Sequence, residues 1–126
     1  MSGVTYDTGA LIAAERGSEV VWTMHRELLV RKVRPTLPTV VLGQAWRGGP
    51  QAGLSRLVRG CRIEPLTERQ ARAAGAALAA SEGGDLVDAA VVVIALARED
   101  LVVTTDPGDL RRIAAAIGRH LAVHVV

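Results

Sequence analysis

Five of the chain's 13 side-chain carboxylates fall in three places where helices are expected to begin: Asp7 near the start, Asp85 and Asp88 three residues apart, and Asp106 and Asp109 on either side of Pro107-Gly108. A spacing of three puts two side chains on neighbouring positions of one helical face. No nitrogen or sulfur ligand joins them. His25, His120 and His124 have no metal-ligand spacing with one another, and Cys61 is the only cysteine. A cluster of oxygen ligands selects a hard cation, Mg²⁺ or Mn²⁺, which keeps waters and meets substrate phosphates. Such a site can orient and activate a water for in-line attack on a phosphodiester and neutralise charge on the leaving oxygen. One acid alone does not hold the ion, so the chemistry requires the separate acids to arrive at one place.

Each acid also has a structural reading. Aspartate is a preferred helix N-cap, and acids in a first turn favour the helix dipole. Asp7, Asp85 and Asp106 could be caps and nothing more. Asp88 differs, because it falls about one turn into a helix whose other positions are mostly apolar. An unpaired buried carboxylate is costly, and no Lys or Arg lies within a helical turn of Asp88 to pair with it. A metal ion would remove that cost. Asp109 is likewise more than one cap needs.

The elements that would position these acids follow from pattern. Gly3 to Tyr6 reads as a first strand, and Asp7-Thr8-Gly9 turns it into a helix, Ala10 to Glu15, closed by Gly17. Ser18 caps a second helix carrying Val20, Val21, Met24, Leu28 and Leu29 at helical spacing, stopped by Pro35. Thr36 to Pro38 is a brief extended piece, and Thr39 can cap a short helix from Val40 through Trp46. After Gly48-Gly49-Pro50 comes a helix from Gln51 to Arg59, then a short strand from Cys61 to Pro65. Thr67-Glu68-Arg69-Gln70 is a capping box that opens an Ala-rich helix from Glu68 to Glu82. Asp85 caps a mostly apolar helix from Leu86 to Arg98, Leu101 to Thr105 is a strand, Pro107 to Ile117 a helix, and Leu121 to Val126 a last strand that can cover an edge. Alternating strands and helices imply a three-layer α/β/α sandwich around a central, mainly parallel sheet. Right-handed crossovers then bring the C-terminal ends of all strands to one edge. Asp7 and Asp106 follow two of those strands, where open α/β sheets build their sites.

Composition narrows the chemistry further. The 126 residues suit one domain, 1–126, with no repeat and no linker. Aromatic residues are 2% and Phe is absent, so the core is aliphatic and there is no platform for stacking single-stranded bases. Nucleic acid, if it is the substrate, has to be met through phosphates and metal ions. The net charge of +2 names no partner by itself. One cysteine permits no internal disulfide, which suits a reducing compartment. The start, Met1-Ser2-Gly3-Val4-Thr5-Tyr6-Asp7, lacks a basic segment followed by an apolar one, and no apolar run is long enough to span a membrane. A cytoplasmic location is expected.

Three segments, in order, resemble the PIN-domain family, in particular the VapC-like toxins of toxin–antitoxin pairs. Asp7-Thr8-Gly9-Ala10-Leu11-Ile12 is similar to the family's opening strand-Asp-[Ser/Thr]-x-Ala-Leu. Asp88-Ala89-Ala90-Val91-Val92-Val93-Ile94-Ala95 resembles its central Asp-bearing helix, and Val103-Thr104-Thr105-Asp106-Pro107-Gly108-Asp109-Leu110 its Thr-x-Asp segment. The resemblance implies a Mg²⁺- or Mn²⁺-dependent ribonuclease that cleaves RNA as a homodimer, restrained by a VapB-like antitoxin whose tail covers the acidic pocket. It implies Asp7, Asp88 and Asp106 as ion ligands, Asp109 completing the set, and Thr8 and Thr104 orienting the carboxylates through their hydroxyls.

One position departs from the family pattern. Where the family usually places a Glu, this chain has Gln44. An amide can offer a neutral oxygen but cannot act as a base or offset charge. Asp85 could compensate by pointing inward. The alternative is a weak or inactive PIN-like module that binds an antitoxin or RNA without cutting it. A receiver-like phosphoryl acceptor is a third reading, disfavoured because no Lys follows a late strand. Arg47, Arg56 and Arg59 could meet RNA phosphates or form a solvated face. Trp22 and Trp46 read as core or interface anchors, and Cys61 as a small buried hydrophobe.

Overall fold

The structure is a computed structural model and describes residues 3–126; Met1 and Ser2, part of the N-terminal stretch read above, lie outside the described residues. The chain forms β1 (Val4–Tyr6), α1 (Thr8–Glu15), α2 (Glu19–Val30), β2 (Thr36–Pro38), α3 (Thr39–Ala45), α4 (Ala52–Arg59), β3 (Arg62–Glu64), α5 (Glu68–Ala80), α6 (Leu86–Arg98), β4 (Leu101–Thr104), α7 (Gly108–Ala116) and β5 (Val123–Val125). The strands make one 5-stranded sheet in the order β3-β2-β1-β4-β5. Every pairing is parallel, with Thr5 opposite Thr36 and Val102, and Val103 opposite His124. This is the α/β sandwich expected from the alternation, and its sheet is wholly parallel.

The order places β1 and β4 side by side at the centre although most of the chain separates them. Parallel neighbours need helical crossovers, and those crossovers are right-handed. Helices α2, α3 and α4 gather around α1, while α5 and α7 pack on α6. The sheet lies between these two groups. Its central strands are apolar runs with no wet side: Val4, Tyr6, Leu37, Val102 and Val103 are all buried. That is the pattern of strands covered on both faces.

The helix signals are honoured in detail. Thr67 and Gln70 form the reciprocal capping box at 3.2 and 2.9 Å. Ser18 accepts from Val21 N–H and Asp85 from Val87 and Asp88 N–H. Helix starts shift by a residue or two: α1 begins at Thr8, earlier than the pattern suggests, α4 at Ala52 with Gln51 as its cap, and α7 at Gly108, after Asp106 and Pro107. Thr39 is the first residue of α3, not its cap.

The aliphatic core encloses a polar knot around Tyr6. Tyr6 is fully buried, and its hydroxyl lies 2.9 Å from Nδ1 of buried His25. Trp22 meets the His25 ring edge-on at 5.7 Å and donates its indole N–H to the Ala14 carbonyl. Burial pushes the Tyr6 phenol above its ordinary range and, with Arg26 adding to it, pushes His25 below its own. His25, unassigned from the sequence, is therefore a neutral partner that satisfies the one buried phenol. Cys61 is buried just before β3, and burial pushes its thiol up to about 12. A thiol so far from its thiolate is unreactive.

Candidate functional site

The C-terminal edge of the sheet gathers the carboxylates. Asp7 follows β1 and continues its ladder, its N–H donating to the Val103 carbonyl at 3.0 Å. Its side chain caps nothing in α1. Instead Oδ2 accepts from the Thr104 hydroxyl at 2.8 Å, across from the adjacent strand. Oδ1 is buried and has no partner among the described residues. Thr104, the last residue of β4, also accepts the Asp106 N–H at 3.1 Å. One hydroxyl thus joins the turns after β1 and β4.

Asp88 sits in the first turn of α6, half-buried. Burial first, then the charges of Asp7, Asp85, Asp109 and Asp106, push its carboxyl up to about 6. Asp7 is raised in the same way: burial dominates, the Thr104 hydroxyl and the Thr8 N–H oppose it, and Asp85 and Asp106 add repulsion. These mutual influences show that Asp7, Asp85, Asp88, Asp106 and Asp109 share one electrostatic neighbourhood, although they come from separate parts of the chain.

The members differ in what they have left to offer. Asp85 spends Oδ1 on the α6 cap, at 2.6 Å from Val87 N and 3.3 Å from Asp88 N, so it serves the cap reading while adding charge. Asp106 is exposed, and its Oδ1 lies 3.4 Å from Gly108 N–H. Asp109 lies in the first turn of α7, 3.5 Å from Arg112 Nε. Among the described residues no three acids are already close enough to enclose an ion. The orphaned Oδ1 of Asp7, the raised carboxyl of Asp88 and an all-oxygen donor set are nonetheless what a hard divalent cation satisfies.

Gln44, near the end of α3, accepts the Thr8 hydroxyl at 2.5 Å through Oε1. Helix α3 packs on both α1 and α6, so Gln44 belongs to the same edge. Arg47 is exposed just beyond α3. Arg56 and Arg59 are exposed on α4, and the Arg56 guanidinium stacks 4.5 Å over Trp22, beside the C-terminal end of α1. Asp7 precedes the other end of that helix, so the structure does not bring Arg56 to the acids.

Two contributors were not assigned from the sequence. Gly9 allows α1 to start against β4: a Cβ there would stand 2.1 Å from Thr105 Oγ1 and 3.1 Å from its backbone nitrogen. The glycine directly after Asp7-Thr8 was the available signal. Arg112 reaches back from α7 to the Ser81 and Gly83 carbonyls at 2.9 and 3.3 Å while facing Asp109. It ties the loop before α6 to the site, and no local pattern marks it.

No protein-family model matches the chain, and no curated protein matches it. Solved structures with the same fold do. A VapBC2 complex from Rickettsia felis, bound to a DNA fragment from its promoter, superposes with a TM-score of 0.76 at 15% identity, covering 98% of both chains. FitAB bound to a DNA fragment gives 0.67 at 17% identity over 97% of this chain and 94% of that one. A toxin–antitoxin complex from Klebsiella pneumoniae gives 0.62 at 14% identity over 85% and 89%. At these identities the likeness is one of fold, and it is the fold that the PIN-like, VapC-like resemblance implies.

Proposed function

We propose that this protein is a Mg²⁺- or Mn²⁺-dependent endoribonuclease, the toxin of a toxin–antitoxin pair. The observation that carries the reading is the bare, buried Oδ1 of Asp7 beside the raised carboxyl of Asp88. Among the described residues neither group has an ion-pair partner; Asp7 follows β1, and Asp88, in the first turn of α6, is near enough for the two charges to act on each other. The shared fold with toxin–antitoxin complexes supports the biological setting.

In this reading Asp7, Asp88 and Asp106 hold the ion and Asp109 completes the set. The bound ion supplies charge neutralisation at the phosphate and a water acidic enough to attack near neutral pH. The chain's own residues do the positioning. Thr104 fixes Asp7 Oδ2 and leaves Oδ1 free, and the same hydroxyl holds the Asp106 backbone. Asp88, its carboxyl pushed up to about 6, has to be ionised to hold the ion, so binding would weaken as pH falls below that value. Arg47 is the arginine best placed for an RNA phosphate, since it follows α3 directly. The partners are RNA and a VapB-like antitoxin, the assembly is a homodimer, and the compartment is the cytoplasm. Among the described residues no helix is long and apolar enough to cross a membrane.

An RNA-cleavage assay with and without Mn²⁺ tests the reading. Wild type cleaves only with the ion, and Asp7→Asn abolishes cleavage and growth arrest while the fold persists. Cleavage by Asp7→Asn at the wild-type rate would sink the mechanism. Gln44 motivates the second reading, a module that binds without cutting. Gln44→Glu separates the two: a large gain in Mn²⁺-dependent cleavage marks a depleted enzyme, and no cleavage in either form marks a binding module.

A further inference from the structure

The acidic edge has one flank without negative charge. It is built by α3 and the turn after it. Gln44 gives its amide oxygen to Thr8, at 2.5 Å, so that oxygen is already engaged. Its amide N–H₂ bonds no described residue and is not among the buried unsatisfied groups, so it opens to solvent. The residue that holds it adjoins Asp7, and α3 lies against the helix bearing Asp88. Three residues on, Arg47 is exposed and its backbone is clamped: Gln51 Oε1 accepts the Arg47 N–H at 2.6 Å, and Gln51 Nε2 donates to the Ala45 carbonyl at 3.1 Å. A neutral donor near the helix end is thus followed, three residues on, by an exposed cation whose guanidinium donates to the Trp46 carbonyl at 2.7 Å, on a turn closed by its own side-chain hydrogen bonds.

A phosphodiester approaching a ring of carboxylates meets repulsion at every non-bridging oxygen that the ion does not cover. A neutral N–H donor at the rim accepts such an oxygen where another carboxylate would repel it. We propose that Gln44 is a hydrogen-bond donor to the RNA phosphate backbone, paired with Arg47, and is not a ligand of the metal ion. The inference rests on the ribonuclease reading for its substrate class, and it turns the departure at this position into a substrate contact.

The test separates RNA binding from ion binding and needs no cleavage. A labelled, non-hydrolysable 2′-O-methyl oligoribonucleotide is titrated by fluorescence anisotropy in Ca²⁺, and Mn²⁺ binding is followed by electron paramagnetic resonance. Gln44→Ala weakens oligonucleotide binding roughly ten-fold, the scale of one hydrogen bond to a charged group, and leaves Mn²⁺ affinity within about two-fold. Gln44→Glu tightens Mn²⁺ binding and weakens the oligonucleotide. Thermal melting confirms that both variants are folded. The proposal is overturned if Gln44→Ala lowers Mn²⁺ affinity with RNA binding intact, if neither binding changes, or if the wild type does not bind the oligonucleotide. The ribonuclease reading fails separately, by an absence of Mn²⁺-dependent cleavage in a wild type whose RNA binding still depends on Gln44.

Discussion

The two ends of the central strand pair are built from the same parts. At the C-terminal end, Thr104 of β4 donates to Asp7, which follows β1, at 2.8 Å. At the N-terminal end, Thr5 of β1 donates to Asp100, which precedes β4, also at 2.8 Å. Both aspartates are buried, and each keeps one oxygen without a partner among the described residues. The difference is the cation. Asp100 has Arg98 at 2.9 Å, on the same oxygen that Thr5 bonds. The charges that act on Asp7 are other carboxylates, Asp85 and Asp106. A buried acid completed by the chain's own arginine locks a strand to a helix end. An identical acid left among like charges carries an electrostatic cost that the proposed ion would relieve.

The largest expected effect breaks this comparison by charge removal. Asp7→Asn eliminates Mn²⁺ binding and RNA cleavage while thermal stability holds or rises, because the substitution relieves repulsion. Asp100→Asn does the reverse. It costs about 2 kcal/mol by denaturant titration, the scale of a charged hydrogen-bonded pair whose arginine is partly exposed, and leaves ion affinity unchanged. Equal destabilisation by both variants would mean that both ends are structural. The threonines come next. Thr104→Val lowers Mn²⁺ affinity by about 10–100-fold, as loss of a ligand-orienting hydrogen bond does. Thr5→Val costs about 1 kcal/mol of stability and nothing in ion binding.

A smaller effect is the pH dependence. Asp88 moves from its ordinary 3.8 to about 6 on folding, and Asp7 is raised as well. Between those pH values the folded protein binds more protons than the unfolded chain, so stability falls as pH rises through the window and levels off above about 6. Asp88→Asn flattens the slope in ion-free buffer. Mn²⁺ affinity rises across the same window, because the ion needs the deprotonated form. A slope that persists in Asp88→Asn would assign it elsewhere. The smallest effect concerns Arg112, which faces Asp109 at 3.5 Å in an exposed pair. Arg112→Gln changes stability by less than about 1 kcal/mol. Its hydrogen bonds to Ser81 and Gly83 predict faster amide exchange in that loop.

Local signals were legible because their physics is local. The capping box at Thr67, the cap at Asp85 and the buried helix behind it depend on residues within one or two turns. Asp88 stood out for the same reason, as a carboxylate inside an apolar helix with no nearby cation. Asp7 read equally well as a cap, and only its geometry shows that it caps nothing and faces Thr104. His25 could not be assigned, because its partner Tyr6 lies on a strand reached through the fold. Arg112 was equally opaque, since its contacts lie 29 and 31 residues away.

The sequence by itself determined the alternation of strands and helices, the aliphatic core and the identity of the acids, because patterning and residue chemistry need no partner. The tertiary structure alone decided which buried aspartate is left among like charges and which receives an arginine. Adjacency of β1 and β4 sets that choice, joining residues 95 and 97 positions apart at opposite ends of one strand pair. No local interaction encodes such a pairing. It follows from crossover topology and from burying both faces of the sheet.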